Sequence, residues 1–258
     1  MSSSVEVVLK THIGRVRQVN EDTAEVVKRE SNTTLVIVAD GMGGHQAGDV
    51  ASQLAVKYVK QAFMKAELHS SAVTWEEWLI QTISETNRYI YDYAEQDQAY
   101  QGMGTTIVTS LFLEDYYIVA HVGDSRIYRY EQEQQQLTSI TEDHSLVNEL
   151  VKSGEITKAE ADVHPQRSWI TRSLGTQEDV KVDVKTMGYL GDECILLCSD
   201  GLSDMINEQH MLDILKQDKG LEEKASELID AALEAGGDDN ITLCLVQPTS
   251  SPSAQEER

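Results

Sequence analysis

Five apolar residues, Leu35–Ala39, run directly into Asp40 and a turn that reads Gly41-Met42-Gly43-Gly44-His45. A continuous, β-branched run of this length reads as a strand covered on both faces. A carboxylate at the end of such a strand is costly unless something pairs with it. Two readings stay open on this stretch alone: Asp40 sits beside a cation, or it caps a turn. The glycines let the backbone approach a neighbour closely.

The same arrangement returns further along the chain. Ile118–Val122 leads into Gly123-Asp124, and Cys194–Cys198 leads into Ser199-Asp200-Gly201. A mirrored version places Gly236-Gly237-Asp238-Asp239-Asn240 before the apolar run Ile241–Val246, and Asn20-Glu21-Asp22 follows Arg15 and Arg17. Five acidic clusters at strand ends, four of them beside glycine, read as the parts of one oxygen-rich metal site. Hard cations such as Mg²⁺ and Mn²⁺ take carboxylate, carbonyl and water ligands. Two such ions about 4 Å apart can share a carboxylate and a hydroxide, which then attacks phosphorus in line. An arginine fork suits the phosphoryl oxygens. Arg15 and Arg17 both precede the first acidic cluster, and physics alone does not choose between them.

Composition excludes several other classes. Of 258 residues, 44 are acidic and 21 basic, a formal charge of −23 that repels phosphate backbones and argues against general nucleic-acid binding. The length suits one large domain or two small ones. No apolar run approaches the roughly 18 residues of a membrane helix, and the first residues lack the basic start and apolar core of a signal peptide. Cys194, Cys198 and Cys244 lie in apolar runs and read as buried thiols of a reducing compartment, so a cytoplasmic protein is expected. There is no His-Glu-x-x-His, Cys-x-x-Cys, Gly-x-Ser-x-Gly or P-loop pattern. His45, His121 and His144 could shuttle protons, although structural roles are the simpler reading.

Periodicity predicts strands over Val5–Lys10, Thr23–Val27 and Thr34–Ala39, the last two as a hairpin. Helices are predicted from the spacing of Val50 to Phe63 and after a capping box at Thr74-Trp75-Glu76-Glu77, with Leu79, Ile83 and Ile90 inward and Trp75 and Trp78 packing. Strands Thr105–Leu113, Tyr116–Val122 and Arg126–Gln132 read as an antiparallel meander, with Thr138–Ile140 as a return strand. Residues 145–170 break the pattern with two short helices, one stopped by Gly154 and one opened by Thr157-Lys158-Ala159-Glu160. This insertion is either a flap beside the site or a surface connection. Strands at Val180–Lys185 and Cys194–Ser199, helices near 207–216 and 221–235, and a strand at Ile241–Val246 complete the reading. Residues 248–258 are rich in Ser, Pro, Glu and Gln and read as a disordered tail. Strands interrupted by paired helices suggest a sheet sandwich with helices outside.

Taken in order, Arg17-x-x-Asn20-Glu21-Asp22, Asp40-Gly-Met-Gly-Gly-His45, Gly102-Met-Gly-Thr-Thr106, Gly123-Asp-Ser-Arg126, Ser199-Asp-Gly201 and Asp239-Asn-Ile-Thr242 strongly resemble the metal-dependent protein serine/threonine phosphatases of the 2C (PPM) family, in its compact bacterial form. The resemblance covers residues 5–247. It implies an α+β fold, a four-layer α/β/β/α sandwich around two central antiparallel β-sheets, forming a single catalytic domain over 1–247. It implies that Asp40 bridges two Mn²⁺ or Mg²⁺ ions and that the Gly41 carbonyl, Asp200 and Asp239 complete the first. Asp22 would serve the second, with Glu21 acting through water, while Asp124 with Asp200 would bind a weaker third ion. Arg17 and Asp40 are the implied catalytic residues, Arg17 holding the substrate phosphate. The spacing to Asn240 favours Asp239 over Asp238 as the ligand.

The implied reaction is hydrolysis of phosphoserine and phosphothreonine by a metal-bridging hydroxide, opposing a bacterial Ser/Thr kinase of the PASTA type. The implied partners are therefore phosphoproteins, including that kinase, and the enzyme is expected to be a monomer without membrane insertion. Met42 stands where some eukaryotic members carry a histidine proposed as general acid, and His45 lies three residues on, so a catalytic role for His45 stays open. The family's variable flap corresponds to Ser145–Ile170. Two rivals remain: a phosphoesterase acting on small molecules or nucleotides with the same site chemistry, and a binding-only pseudophosphatase, which would be expected to have lost a ligand.

Overall fold

The computed structural model describes residues 4–29, 32–43, 47–67 and 71–249. His45 and the tail beyond Thr249 lie outside the described residues.

Alternating and continuous apolar runs fold into two antiparallel sheets. In the first, β2 (Asp22–Lys28), β3 (Thr34–Met42), β5 (Ile107–Phe112), β6 (Tyr116–Val122) and β9 (Asp183–Gly188) lie side by side in that order, and the two-residue β4 (Gly104–Thr105) pairs with the end of β3. In the second the order is β1 (Ser4–His12), β11 (Ile241–Thr249), β10 (Glu193–Cys198), β7 (Arg126–Glu131) and β8 (Gln136–Ser139). Helices α1 (Ala47–Lys65) and α2 (Ala72–Ala94) cover the outer face of the first sheet, where Phe63, Trp75, Leu79, Ile83 and Ile90 are fully buried against Leu35, Ile37 and Leu111. Helices α5 (Asp200–Ser203), α6 (Glu208–Leu215) and α7 (Leu221–Glu234) cover the second. Between the sheets, Val36, Val38, Val108, Ile127, Ile195, Leu197 and Cys244 interdigitate. The β3 run is buried on both faces because odd positions meet helices and even positions meet the other sheet. The result is the expected four-layer α/β/β/α sandwich.

Several boundaries differ from the sequence reading. The cap of α2 is Ser71, whose Oγ accepts from Thr74 N at 3.2 Å, so Thr74 sits in the first turn and the helix begins earlier. The meander holds for β5 and β6 only. At Gly123, φ +112°, the chain leaves the first sheet, and β7 pairs with β10 and β8 in the second. Strand β9 begins at Asp183 rather than Val180, and β11 runs to Thr249, where Pro248 lies opposite Val5. Two residues assigned to the tail therefore belong to the sheet. The insertion forms α3 (Leu146–Ser153), stopped by Gly154 in the left-handed conformation, and α4 (Lys158–Asp162), opened by the capping box of Thr157 and Glu160. All three cysteines are buried and free. Among the described residues, no helix is long and apolar enough to cross a membrane.

Candidate metal centre

Every acidic cluster singled out in the sequence ends at one rim of the sandwich. Asp22 opens β2 directly opposite Asp40 near the end of β3, because the hairpin register pairs Thr23 with Ala39 and Lys28 with Thr34. Asp200 follows β10 as the first residue of α5, Asp239 immediately precedes Asn240 and β11, and Asp124 sits in the crossover between β6 and β7. The charges of Asp22, Asp124 and Asp200 all act on Asp40. The cluster is thus centred on Asp40.

Burial makes this concentration of charge expensive. It pushes the Asp22 carboxyl up to about 7; hydrogen bonds from Ser199 and Thr242 oppose the shift, and the charges of Asp200 and Asp239 add to it. Asp200 is pushed up to about 6 by burial, then by Asp204 and Asp239. Asp40 and Asp124 are raised well above the usual carboxylate range, first by burial and then by their acidic neighbours. Asp40 and Asp200 are half-buried.

The donor set fits a hard divalent cation. Among the described residues, Asp22 Oδ1, Asp124 Oδ1 and Asp200 Oδ1 are buried without a hydrogen-bond partner. Buried carboxylate oxygens in native proteins are paired or bind metal. Among the described residues the groups converging here are oxygens, without sulfur or imidazole, which matches Mg²⁺ or Mn²⁺ chemistry.

The backbone around the carboxylates is held by specific bonds. Asp40 O accepts from Thr106 N and Thr105 Oγ1, both at 2.8 Å, and Asp40 N donates to Thr106 Oγ1 at 3.1 Å. Gly41 N donates to Glu21 O at 3.1 Å, and a Cβ on Gly41 would lie 2.0 Å from Gly48 O, so only glycine fits that approach. Ser199 Oγ donates to Asp22 Oδ2 at 2.8 Å. Arg17, not Arg15, reaches the acidic cluster: its Nη2 donates to Asp239 Oδ2 at 2.6 Å and its Nη1 lies 3.9 Å from Glu21 Oε2. Arg15 is held by its backbone, N to Gly237 O at 2.7 Å.

Three residues did not stand out in the sequence. Asn240 served there only as a spacing marker, yet its Oδ1 accepts from Glu21 N at 2.8 Å while its Nδ2 donates to Ile13 O and Val19 O. That one amide ties the Glu21 segment to the strand after Asp239. Ser199 was noted only as part of a motif. Asp204 lies one helical turn beyond Asp200, on the same face, and the i, i+4 spacing was a usable signal. Asp204 helps line a cleft of about 470 Å³ that runs from Asp124 and Asp200 under the insertion, past Arg126, Asn148 and Arg167.

Comparison with known proteins gives one consistent answer. Residues 10–235 match the family model described as protein phosphatase 2C. The serine/threonine phosphatase stp of Listeria welshimeri is 43% identical over 238 residues, covering 92% of this chain and 94% of that protein. The crystal structure of the serine/threonine phosphatase Stp1 from Staphylococcus aureus superposes with a TM-score of 0.91 at 35% identity, covering 97% of each chain. The catalytic domain of the serine/threonine protein phosphatase PstP, crystallised in complex with two manganese ions, superposes at 0.84 with 32% identity, covering 96% of this chain and all of that one.

Proposed function

The chain belongs to the protein phosphatase 2C family, and we propose that it removes phosphate from serine and threonine side chains of proteins using two divalent cations, Mn²⁺ or Mg²⁺, held around Asp40. The observation that carries this reading is the convergence of Asp22, Asp124 and Asp200 on Asp40, with unpartnered oxygens on those three and Arg17 at the rim. Asp40 would bridge the ions. Asp22, Asp200, Asp239, the Gly41 carbonyl and, through water, Glu21 complete the set, and Asp124 with Asp200 would hold a weaker third ion. When bound, such ions activate water and neutralise phosphoryl charge.

The chain's own residues prepare the remaining steps. Arg17 presents a charged fork whose present partner is Asp239. With Asp239 among the residues that would hold a cation, the Arg17 guanidinium would be available to grip two phosphoryl oxygens, a bidentate fit that lysine cannot copy. Thr105, Thr106 and Asn240 fix the backbones of Asp40 and Glu21, so the carboxylates need little rearrangement on binding. The protein substrates reach this rim from the cytoplasm, where the enzyme acts as a monomer against a Ser/Thr kinase, including one of the PASTA type. Residues 1–247 form the catalytic unit together with the last two residues of β11.

The test is phosphate release from a phosphothreonine peptide, with and without Mn²⁺, beside Asp239→Asn and a nucleotide monophosphate as competing substrate. Metal-dependent release from the peptide that collapses in the variant is the expected result. Preference for the nucleotide would replace the substrate class, and no release from folded, metal-loaded protein would overturn the enzymatic reading.

A further inference from the structure

Behind the acidic cluster, His121 and His144 stack with ring centroids 4.6 Å apart and planes 11° from parallel. One ligand atom from each, with one from Asp183, falls within a 4.8 Å group. Parallel stacked rings point their in-plane lone pairs side by side, however, not toward a common centre. Three of the four ring nitrogens also have partners. His121 Nε2 meets Glu142 O at 2.9 Å, His144 Nε2 meets Asp183 Oδ2 at 3.3 Å, and His144 Nδ1 accepts from Gly123 N at 3.0 Å. The cluster is a hydrogen-bonded joint, and its position gives it a role.

His144 lies at the entry to the insertion, and both ends of the insertion fasten to it. Thr171 N donates to His144 O at 2.7 Å, Leu146 N donates to Trp169 O at 2.8 Å, and Ser145 pairs with Ile170. On its other side His144 N donates to Gly123 O at 3.0 Å, so backbone and imidazole together close a two-bond ring on Gly123. Arg172, on the segment leaving the insertion, meets the same Asp183 carboxylate at 3.1 Å. The neighbouring Asp143 grips Arg126 through both carboxylate oxygens and Asn148 through its carbonyl. Gly123 itself packs closely on Thr106, where a Cβ would lie 2.6 Å away, so the turn has no room to shift toward that residue. Burial, then His121 and Arg172, hold the His144 ring neutral, pushed down to about 4, which leaves Nδ1 free to accept.

We propose that His144 is a positioning residue: its imidazole clamps the Gly123 amide, fixing the Gly123-Asp124 turn and coupling it to the base of the 145–170 insertion. The order of the insertion and the placement of the Asp124 carboxylate are then one property of the molecule. The consequence for turnover rests on the reading of Asp124 as a cation ligand; the clamp itself does not.

Two conservative variants separate the two ends of the ring. The Oδ1 of asparagine stands where Nδ1 does and can accept from Gly123, whereas the glutamine amide reaches only the Nε2 position facing Asp183. Amide exchange at Gly123, Leu146 and Thr171 would be measured for His144→Ala, His144→Asn and His144→Gln in chelator, then turnover of a small aryl phosphate across a Mn²⁺ titration. Losing one buried hydrogen bond predicts Gly123 exchange about tenfold faster in the Ala and Gln variants, with asparagine restoring it to within about threefold. Turnover at saturating substrate should follow the same order, with KM for the small substrate little changed and more Mn²⁺ needed for full rate. Unchanged Gly123 exchange in the Ala or Gln variant, or asparagine no better than alanine, would overturn the clamp. If alanine prevents folding, the Asn and Gln pair decides. Asp124→Asn is the control for the functional reading: wild-type turnover in that variant would break the link from clamp to catalysis, while the exchange results judge the clamp separately.

Discussion

Stripping the protein of divalent cations and lowering the pH from 8 to 6 should stabilise it, the reverse of what paired surface carboxylates do. Asp22 titrates near 7 and Asp200 near 6 in the folded chain, against an ordinary aspartate value of 3.8. The folded state therefore binds more protons than the unfolded one. This contribution is complete below about pH 4 and is lost as pH climbs through about 6 and 7. One extra bound proton is worth roughly 1.4 kcal/mol per pH unit, and Asp22 gives it up across the middle of this span. With a smaller share from Asp200, the metal-free protein should be about 2 kcal/mol less stable at pH 8 than at pH 6. For a chain of this size that is roughly 4–8 °C in melting temperature. The overall charge of −23 also favours lower pH, so the comparison must include Asp22→Asn. That variant keeps an acceptor for Ser199 Oγ but cannot ionise, and its pH slope should be shallower by about 1 kcal/mol over the same range. Melting in chelator at pH 6, 7 and 8 measures both. Saturating Mn²⁺ should abolish or invert the slope, because the ion competes with those protons. Equal slopes in the wild type and Asp22→Asn would refute the reasoning.

Two backbone features offer further tests. Gly41→Ala would drive a methyl to within 2.0 Å of Gly48 O, where neither backbone can yield, and should cost about 3 kcal/mol or more by denaturant titration. Asn240→Ala removes the acceptor for Glu21 N and the donors to Ile13 O and Val19 O, which should cost roughly 2–4 kcal/mol. Calorimetric titration of the same variant should show weaker Mn²⁺ binding, although Asn240 is not itself among the proposed ligands; unchanged affinity would mean that the Glu21 segment is held by other contacts.

Layers and strand identities were legible because the apolar runs carry them. Leu35–Ala39, short and β-branched, read as a strand covered on both sides, and the helical spacing of Val50 to Phe63 found α1 within a turn. The error at β7 has a single cause. Short turns ordinarily return a strand to its neighbour, and nothing in the letters Gly-Asp-Ser says that Gly123 adopts φ +112° and sends the chain to the other sheet. That decision is made by tertiary contacts: Thr106 packed against Gly123 and Asp143 paired with Arg126. The Thr74 capping box failed for a different reason, since Ser71 three residues earlier offered an equally good cap and more helix.

At the site, the charged residues were legible and the residues that hold them were not. A carboxylate at the end of a buried strand advertises itself, because its cost demands an explanation. An asparagine does not, because it is common in turns. Yet Asn240 stands between Asp239 and a strand that is buried from its first residue, Ile241, and it is only 3% exposed. A buried amide has two donors and an acceptor to satisfy, and segments reaching it from elsewhere in the chain must supply their partners. Ile13, Val19 and Glu21 do so. The same reasoning applies to His144, which is buried and neutral and so must have a partner for each ring nitrogen. Residues that position a cluster of charges are found by asking where a buried polar side chain sends its hydrogen bonds, a question that becomes answerable once two strands are known to end at the same rim.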